Sequence, residues 1–129
     1  MAVARIKRSL EYVVLLTLIE EMPTVPPITF VKLEGYDRQE GIPWNTFTHS
    51  TTIRNIQGAE RLTESVVERG TRKLGVIAVI RAPVYVRKDE VEVIASYSFA
   101  PNNGKMIKIT LKKRAFGWNV ILRDVERTY

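Results

Sequence analysis

The chain has 129 residues, 45% of them hydrophobic, with both charge signs interspersed and a formal net charge of +6. Such a composition belongs to a folded chain, and this length predicts a single domain whose folding buries roughly two-thirds of the surface exposed by the unfolded chain. Cysteine is absent, which excludes disulfides, thiolate nucleophiles and zinc sites built on Cys.

Near the amino end, Arg5, Lys7 and Arg8 precede an apolar run from Tyr12 to Ile19. Glu11 stands at the start of that run, and Glu20-Glu21-Met22-Pro23 follows it where a cleaved signal peptide needs small residues. The run also falls short of the ~20 apolar residues that span a bilayer. The expectation is therefore a cytoplasmic protein with no transmembrane segment.

Ile6, Leu10, Val13, Thr17 and Leu18 recur at helical spacing, predicting a helix from about Val3 to Met22. Its second half is apolar nearly all round. That half is either a deeply covered helix or, because Val13 and Val14 favour extended backbone, a strand. Pro23, Pro26 and Pro27 end the element, since none can donate a helical hydrogen bond.

Ile28 to Glu34 reads as a short strand stopped by Gly35. From Tyr36 to about Arg54 no period is visible, and Gly35, Gly41 and Pro43 punctuate a long connection that carries Trp44, Phe47 and the sole histidine, His49. Long loops in small domains are uncommon and often functional, so residues 36–54 are a candidate ligand or interface loop. A second helix is predicted from Ile56 to Arg69, capped by Asn55, with Ile56, Ala59, Leu62 and Val66 as its buried stripe and Gly70 as its stop.

The remainder reads as strands. Gly75 to Val86 is rich in β-branched residues, and Pro83 within it requires an edge or a bulge. After a turn at Arg87-Lys88-Asp89, Glu90 to Ala100 alternates cleanly, with Val91, Val93, Ala95, Tyr97 and Phe99 on one face. Pro101-Asn102-Asn103-Gly104 signals a hairpin. In Lys105 to Arg114, Ile107, Ile109 and Leu111 oppose Lys108, Thr110 and Lys112, and Ala115-Phe116-Gly117 turns the chain into a last strand holding Trp118, Val120 and Leu122. The predicted fold is α+β: one or two helices on a curved, mostly antiparallel sheet of four to five strands that ends in a β-meander, forming one domain over residues 1–129.

No constellation carries a specific chemistry. Asp37, His49 and Ser50 do not sit in a strand-turn-helix nucleophile elbow, and no catalytic residue is assigned. Asp89, Glu90 and Glu92 are compensated by Arg87 and Lys88 at a turn, so no metal site is expected, and no cofactor is implied because the glycines form no phosphate-binding motif. The strongest partner surface is basic: Lys105, Lys108, Lys112, Lys113 and Arg114, with Arg123 on the next strand. It could follow a phosphate backbone or an acidic protein. The competing reading is that strand lysines keep the sheet soluble and block edge pairing. A base-stacking platform is not evident, because Tyr97 and Phe99 share the face of Val91 and Val93.

The strand "IRAPVYV", the alternating "EVEVIASYSF" and the closing "LKKRAFGWNVI" together resemble the cystatin-like and NTF2-like class of small α+β domains. The resemblance implies a helix-on-sheet fold. It does not bring protease inhibition, since the Gln-x-Val-x-Gly segment of cystatins is missing, nor isomerase chemistry, since the catalytic Asp and Tyr of that group match no motif here. The functional expectation is a non-enzymatic binding or assembly module acting through an exposed sheet face or the 36–54 loop. Alternatives are nucleic-acid or acidic-partner binding through residues 105–114, and a small-ligand pocket or NTF2-like enzyme. A homo-oligomer through a sheet face is a further option.

Overall fold

The computed structural model describes residues 9–36, 47–48, 51–115 and 117–129. Among them is one α-helix, α1 (Leu10–Glu21), followed by strands β1 (Ile28–Glu34), β2 (Phe47–Thr48), β3 (Thr51–Asn55), β4 (Ala59–Arg61), β5 (Val66–Glu68), β6 (Leu74–Arg81), β7 (Val84–Arg87), β8 (Glu90–Ala100), β9 (Asn103–Arg114) and β10 (Gly117–Thr128). The expected fold class is thereby corrected. The protein is mostly β, and its sheet is mixed and larger than four or five strands, running β10-β9-β8-β6-β1-β3-β2 with β4, β5 and β7 attached at its sides.

Residues 10–21 are helical, and the strand alternative for Tyr12 to Ile19 is overturned. Ser9 caps the helix by accepting a hydrogen bond from the Tyr12 amide at 3.2 Å, and the Met22 amide donates to Ile19 at the other end. The expected upstream turn, Val3 to Arg8, lies outside the described residues. Val13, Val14, Leu15, Leu18 and Ile19 are all buried, and they point around most of the helix circumference. One flat surface could not cover them. The helix accordingly contacts β6, β8 and β10, and the buried Thr17 hydroxyl is satisfied by donating to the Val13 carbonyl at 2.9 Å.

Two of the expected elements take other forms. The 36–54 connection contains β3, which pairs in parallel with β1, while β1 pairs in parallel with β6 on its other edge. Thr29 and Thr51 share a buried hydroxyl–hydroxyl bond of 2.8 Å across the β1–β3 seam. No apolar alternation announces β3, because two of its buried residues are Thr51 and Thr52, and the Thr51 hydroxyl finds its partner only on β1. The expected helix from Ile56 to Arg69 is instead a 3-10 turn at Ile56–Gly58 and the antiparallel hairpin β4–β5. Asn55 is a cap, but of that short turn, accepting from the Gln57 amide. Ala59 and Val66 are buried as the helical stripe requires, yet their partners are Ile28, Phe30 and Ile77 on the sheet. Adjacent Val66 and Val67 are β-branched and both buried, a pattern that favours strand once β6 offers its edge.

The carboxyl-terminal strands β8, β9 and β10 pair antiparallel in succession. Val91, Val93, Ala95 and Tyr97 stand opposite Leu111, Ile109, Ile107 and Lys105, and the apolar members of both rows are buried beneath α1. The far face of the sheet is covered at one end by the β4–β5 hairpin, where fully buried Phe30 anchors a second apolar cluster. Phe30 lies so close to β6 that only glycine fits at position 75, where a Cβ would come within 2.5 Å of the ring. The remainder of that face carries half-exposed Ser96, Ser98, Lys108 and Lys112.

Candidate functional site

The basic stretch looks uniform in sequence and is divided in space. Because strand side chains alternate, Lys105 and Lys113 stand on the α1 side of β9 with Ile107, Ile109 and Leu111, whereas Lys108, Lys112 and Arg114 stand on the far side. Arg123, opposite Ile109, joins the α1 side. There its guanidinium pairs with Glu20 at 2.7 Å and Glu21 at 3.6 Å, and Lys105 reaches Glu21 at 3.7 Å. These pairs tie the carboxyl end of α1 to β9 and β10. The link is reinforced by the Tyr97 hydroxyl, which donates to the Glu21 carbonyl at 3.1 Å.

On the far side Lys112 faces Glu90 across the β8–β9 pair, and Lys108 has Glu92 at 4.0 Å and faces Asp124 on β10. Neighbouring strands thus supply the acids that the run itself lacks. Charges of alternating sign cancel within about a Debye length of ~8 Å, so this face does not present the single-sign stripe a polyanion would follow. Among the described residues, Lys113 and Arg114 are the members of the set with no acidic partner. Of the loop candidates, Trp44 and His49 lie outside the described residues, and Phe47 is placed by its backbone in β2, opposite Thr52.

The described residues contain no group of three His, Cys, Asp or Glu placed to hold a metal ion, and no helix among them is long and apolar enough to cross a membrane. What they do contain is a cleft of about 500 Å³ at the amino end of α1, lined by Ser9, Leu10, Glu11, Tyr36, Pro83, Tyr85, Lys113, Gly117 and Trp118. Its volume is in the range of small-molecule sites. A second hollow of about 430 Å³ lies between the proline-rich link Pro23–Pro27 and Phe99. Only the first combines aromatic walls with a buried polar group that has no partner.

Each wall has a local cause. Gly35, at φ +79, ends β1 and turns the chain so that Tyr36 packs against the main core. Ala82 and Pro83 interrupt the strand that would join β6 to β7; the Ala82 amide bonds back to Glu34, and β7 then continues along β8 with Tyr85 opposite Val91. Gly117, at φ +113, reverses the chain into β10 and sets Trp118 opposite Lys113. Tyr85 and Trp118 meet edge to face, with ring centroids 6.5 Å apart and planes at 68°.

Electrostatics single out the same corner. Burial raises the Glu11 carboxyl above its ordinary range, an effect only partly offset by its backbone hydrogen bond and by the nearby Tyr36 hydroxyl. Burial, followed by the Glu11 charge, pushes the Tyr36 phenol well above its usual value, with Tyr85 adding to the rise. Tyr36 Oη is buried with no hydrogen-bond partner of full geometry, although it lies near enough to the Glu11 carboxylate for the two groups to act on each other. Perturbed groups gathered in a cleft are the physical mark of a binding or reactive site. In the sequence, Trp118 beside a tight turn reads as a core residue sealing the end of the sheet, with a pocket lid as the lesser reading. Glu11, Tyr36 and Tyr85 lie on α1, just after β1 and on β7, and no spacing rule connects them.

Comparison with protein-family models, with curated proteins and with solved structures gives no match. The roles of these residues therefore rest on their own geometry.

Proposed function

We propose that the protein is a non-enzymatic small-ligand binding module whose site is the cleft between the amino end of α1 and the Trp118 end of the β9–β10 pair. The observation that carries this reading is the buried Tyr36 hydroxyl without a partner of full geometry, set with the Tyr85 and Trp118 rings in a cleft of ligand size. A buried hydroxyl left unsatisfied costs about 1–3 kcal/mol, and a bound ligand that draws a neighbouring acceptor onto it recovers part of that cost. Trp118 and Tyr85 add apolar area on rigid side chains, which order at little entropic cost.

The test is a fragment screen by protein-observed NMR on the full chain, with Trp118→Ala as the comparison. Fragments that bind should move the Trp118 indole N–H resonance, and their binding should be lost in the variant. A ligand present at about 100 times its Kd should also stabilise the fold by about 2.7 kcal/mol. Fragments that bind equally well to Trp118→Ala, or a screen in which nothing moves the Trp118 resonance, would overturn the proposal.

A further inference from the structure

Resting on that reading, we infer that the ligand recognised by the cleft carries a compact organic cation, of the quaternary-ammonium type. The walls supply what such a group requires. Aromatic ring faces are negative, and a cation within ~6 Å of a ring centroid is attracted to them, most strongly by Trp. Trp118 and Tyr85, inclined at 68° with centroids 6.5 Å apart, form two walls of a corner, and Tyr36 lines the same cleft. The Glu11 carboxylate stands beside Tyr36 in the same cleft. Rings and carboxylate together favour positive charge over a neutral group of the same shape.

Hydration narrows the class. An ammonium with three N–H donors is strongly hydrated and would need acceptors for each donor. Among the described lining residues the only charged acceptor is the Glu11 carboxylate; the other side-chain acceptors are the Tyr36 and Tyr85 phenols and the Ser9 hydroxyl, which already accepts from the Tyr12 amide. A quaternary ammonium is weakly hydrated, presents only C–H groups, and can sit against ring faces without leaving donors unpaired. Its charge beside Glu11 would also favour the ionised carboxylate, to which the Tyr36 hydroxyl could then donate the hydrogen bond it lacks. Among the described residues, Lys113 is the one opposing charge in the lining. Its side chain is exposed, so water and salt screen it, and it should weaken cation binding only modestly.

The experiment compares choline with its neutral isostere 3,3-dimethylbutan-1-ol on the full wild-type chain, following the Trp118 indole resonance. Choline should bind at least about tenfold more tightly, within the range of cation–π and charge effects at a partly desolvated site. Glu11→Gln should reduce that preference severalfold, whereas Lys113→Gln should increase it. Equal affinity for the two probes, or a preference unchanged in Glu11→Gln, overturns the cation assignment and leaves the ligand-binding reading standing. If neither probe nor any fragment moves Trp118, both fall. The wild-type comparison does not depend on how either variant folds.

Discussion

Gly104→Ala perturbs the place where the hairpin between β8 and β9 closes. Gly104 is buried opposite Ser98, at the point where the register slips between Ser98 and Ala100, and its carbonyl accepts from the Tyr129 amide at 3.0 Å. A Cβ there would lie 2.1 Å from the Tyr97 carbonyl oxygen and 3.1 Å from the Ser98 Cα. Both are backbone atoms, so no side chain can swing aside. Since C···O contacts settle near 3.3 Å, the strands would have to separate locally by about 1 Å. Overpacking of this kind costs about 1–3 kcal/mol, and loss of one inter-strand hydrogen bond adds about 1 kcal/mol. The expected destabilisation is thus about 2–4 kcal/mol, equivalent at this chain length to a fall in Tm of roughly 6–16 °C. Thermal denaturation followed by far-UV circular dichroism measures it. Gly58→Ala is the control: its Cβ would meet the Phe30 ring at an ordinary 3.5 Å, and its effect should stay within about 0.5 kcal/mol. A Gly104→Ala protein melting within about 2 °C of wild type would refute the close approach of β8 and β9.

Removing the hydroxyl in Tyr97→Phe deletes the bond to the Glu21 carbonyl and should cost about 1 kcal/mol in urea denaturation; no loss would mean that this link between α1 and the sheet carries no stability. Ser9→Ala removes the cap of α1 and should cost about 1 kcal/mol, with Ser9→Asp retaining most of the stability; equal loss in both variants would argue against capping. Glu11 gives a pH dependence with a definite sign. Its folded carboxyl titrates above the ordinary 4.5, so between that value and its raised one the folded state holds a proton that the unfolded state has released. Stability contributed by this group therefore falls as pH rises through that window and stays lower above it. Stability curves of wild type and Glu11→Gln should diverge across the window, the variant falling less steeply; parallel curves would count against burial of this carboxyl.

Local pattern was sufficient where one covalent segment makes its own structure. Pro23, Pro26 and Pro27 bound α1, the alternation from Val91 to Tyr97 and from Ile107 to Leu111 marks the buried rows, and Asn102-Asn103-Gly104 marks the reversal between them. These depend on backbone chemistry and on a period of two, both visible in a single chain. The segment from Ile56 to Arg69 shows where that reasoning stops. Its apolar residues fit a helical stripe, but Phe30 and the free edge of β6 reward an extended hairpin more, and neither is adjacent in sequence. The parallel placement of β3 beside β1 was hidden for the same reason, since the buried Thr51 hydroxyl meets Thr29 only once the partner strand is present.

Charge teaches the same distinction. The amino-acid sequence determined that Lys105 to Arg114 contains no acid, but only the tertiary structure decided that Glu90, Glu92 and Asp124 lie beside it and that Glu20 and Glu21 meet Lys105 and Arg123 from α1. The site follows the same logic. Sequence determined that a tryptophan follows the Phe116-Gly117 turn; the tertiary fold brought Glu11, Tyr36 and Tyr85 to it. Side chains from four separate segments acquire a common environment only when the core has closed, because burial and neighbouring charge are properties of the packed molecule and not of any one segment.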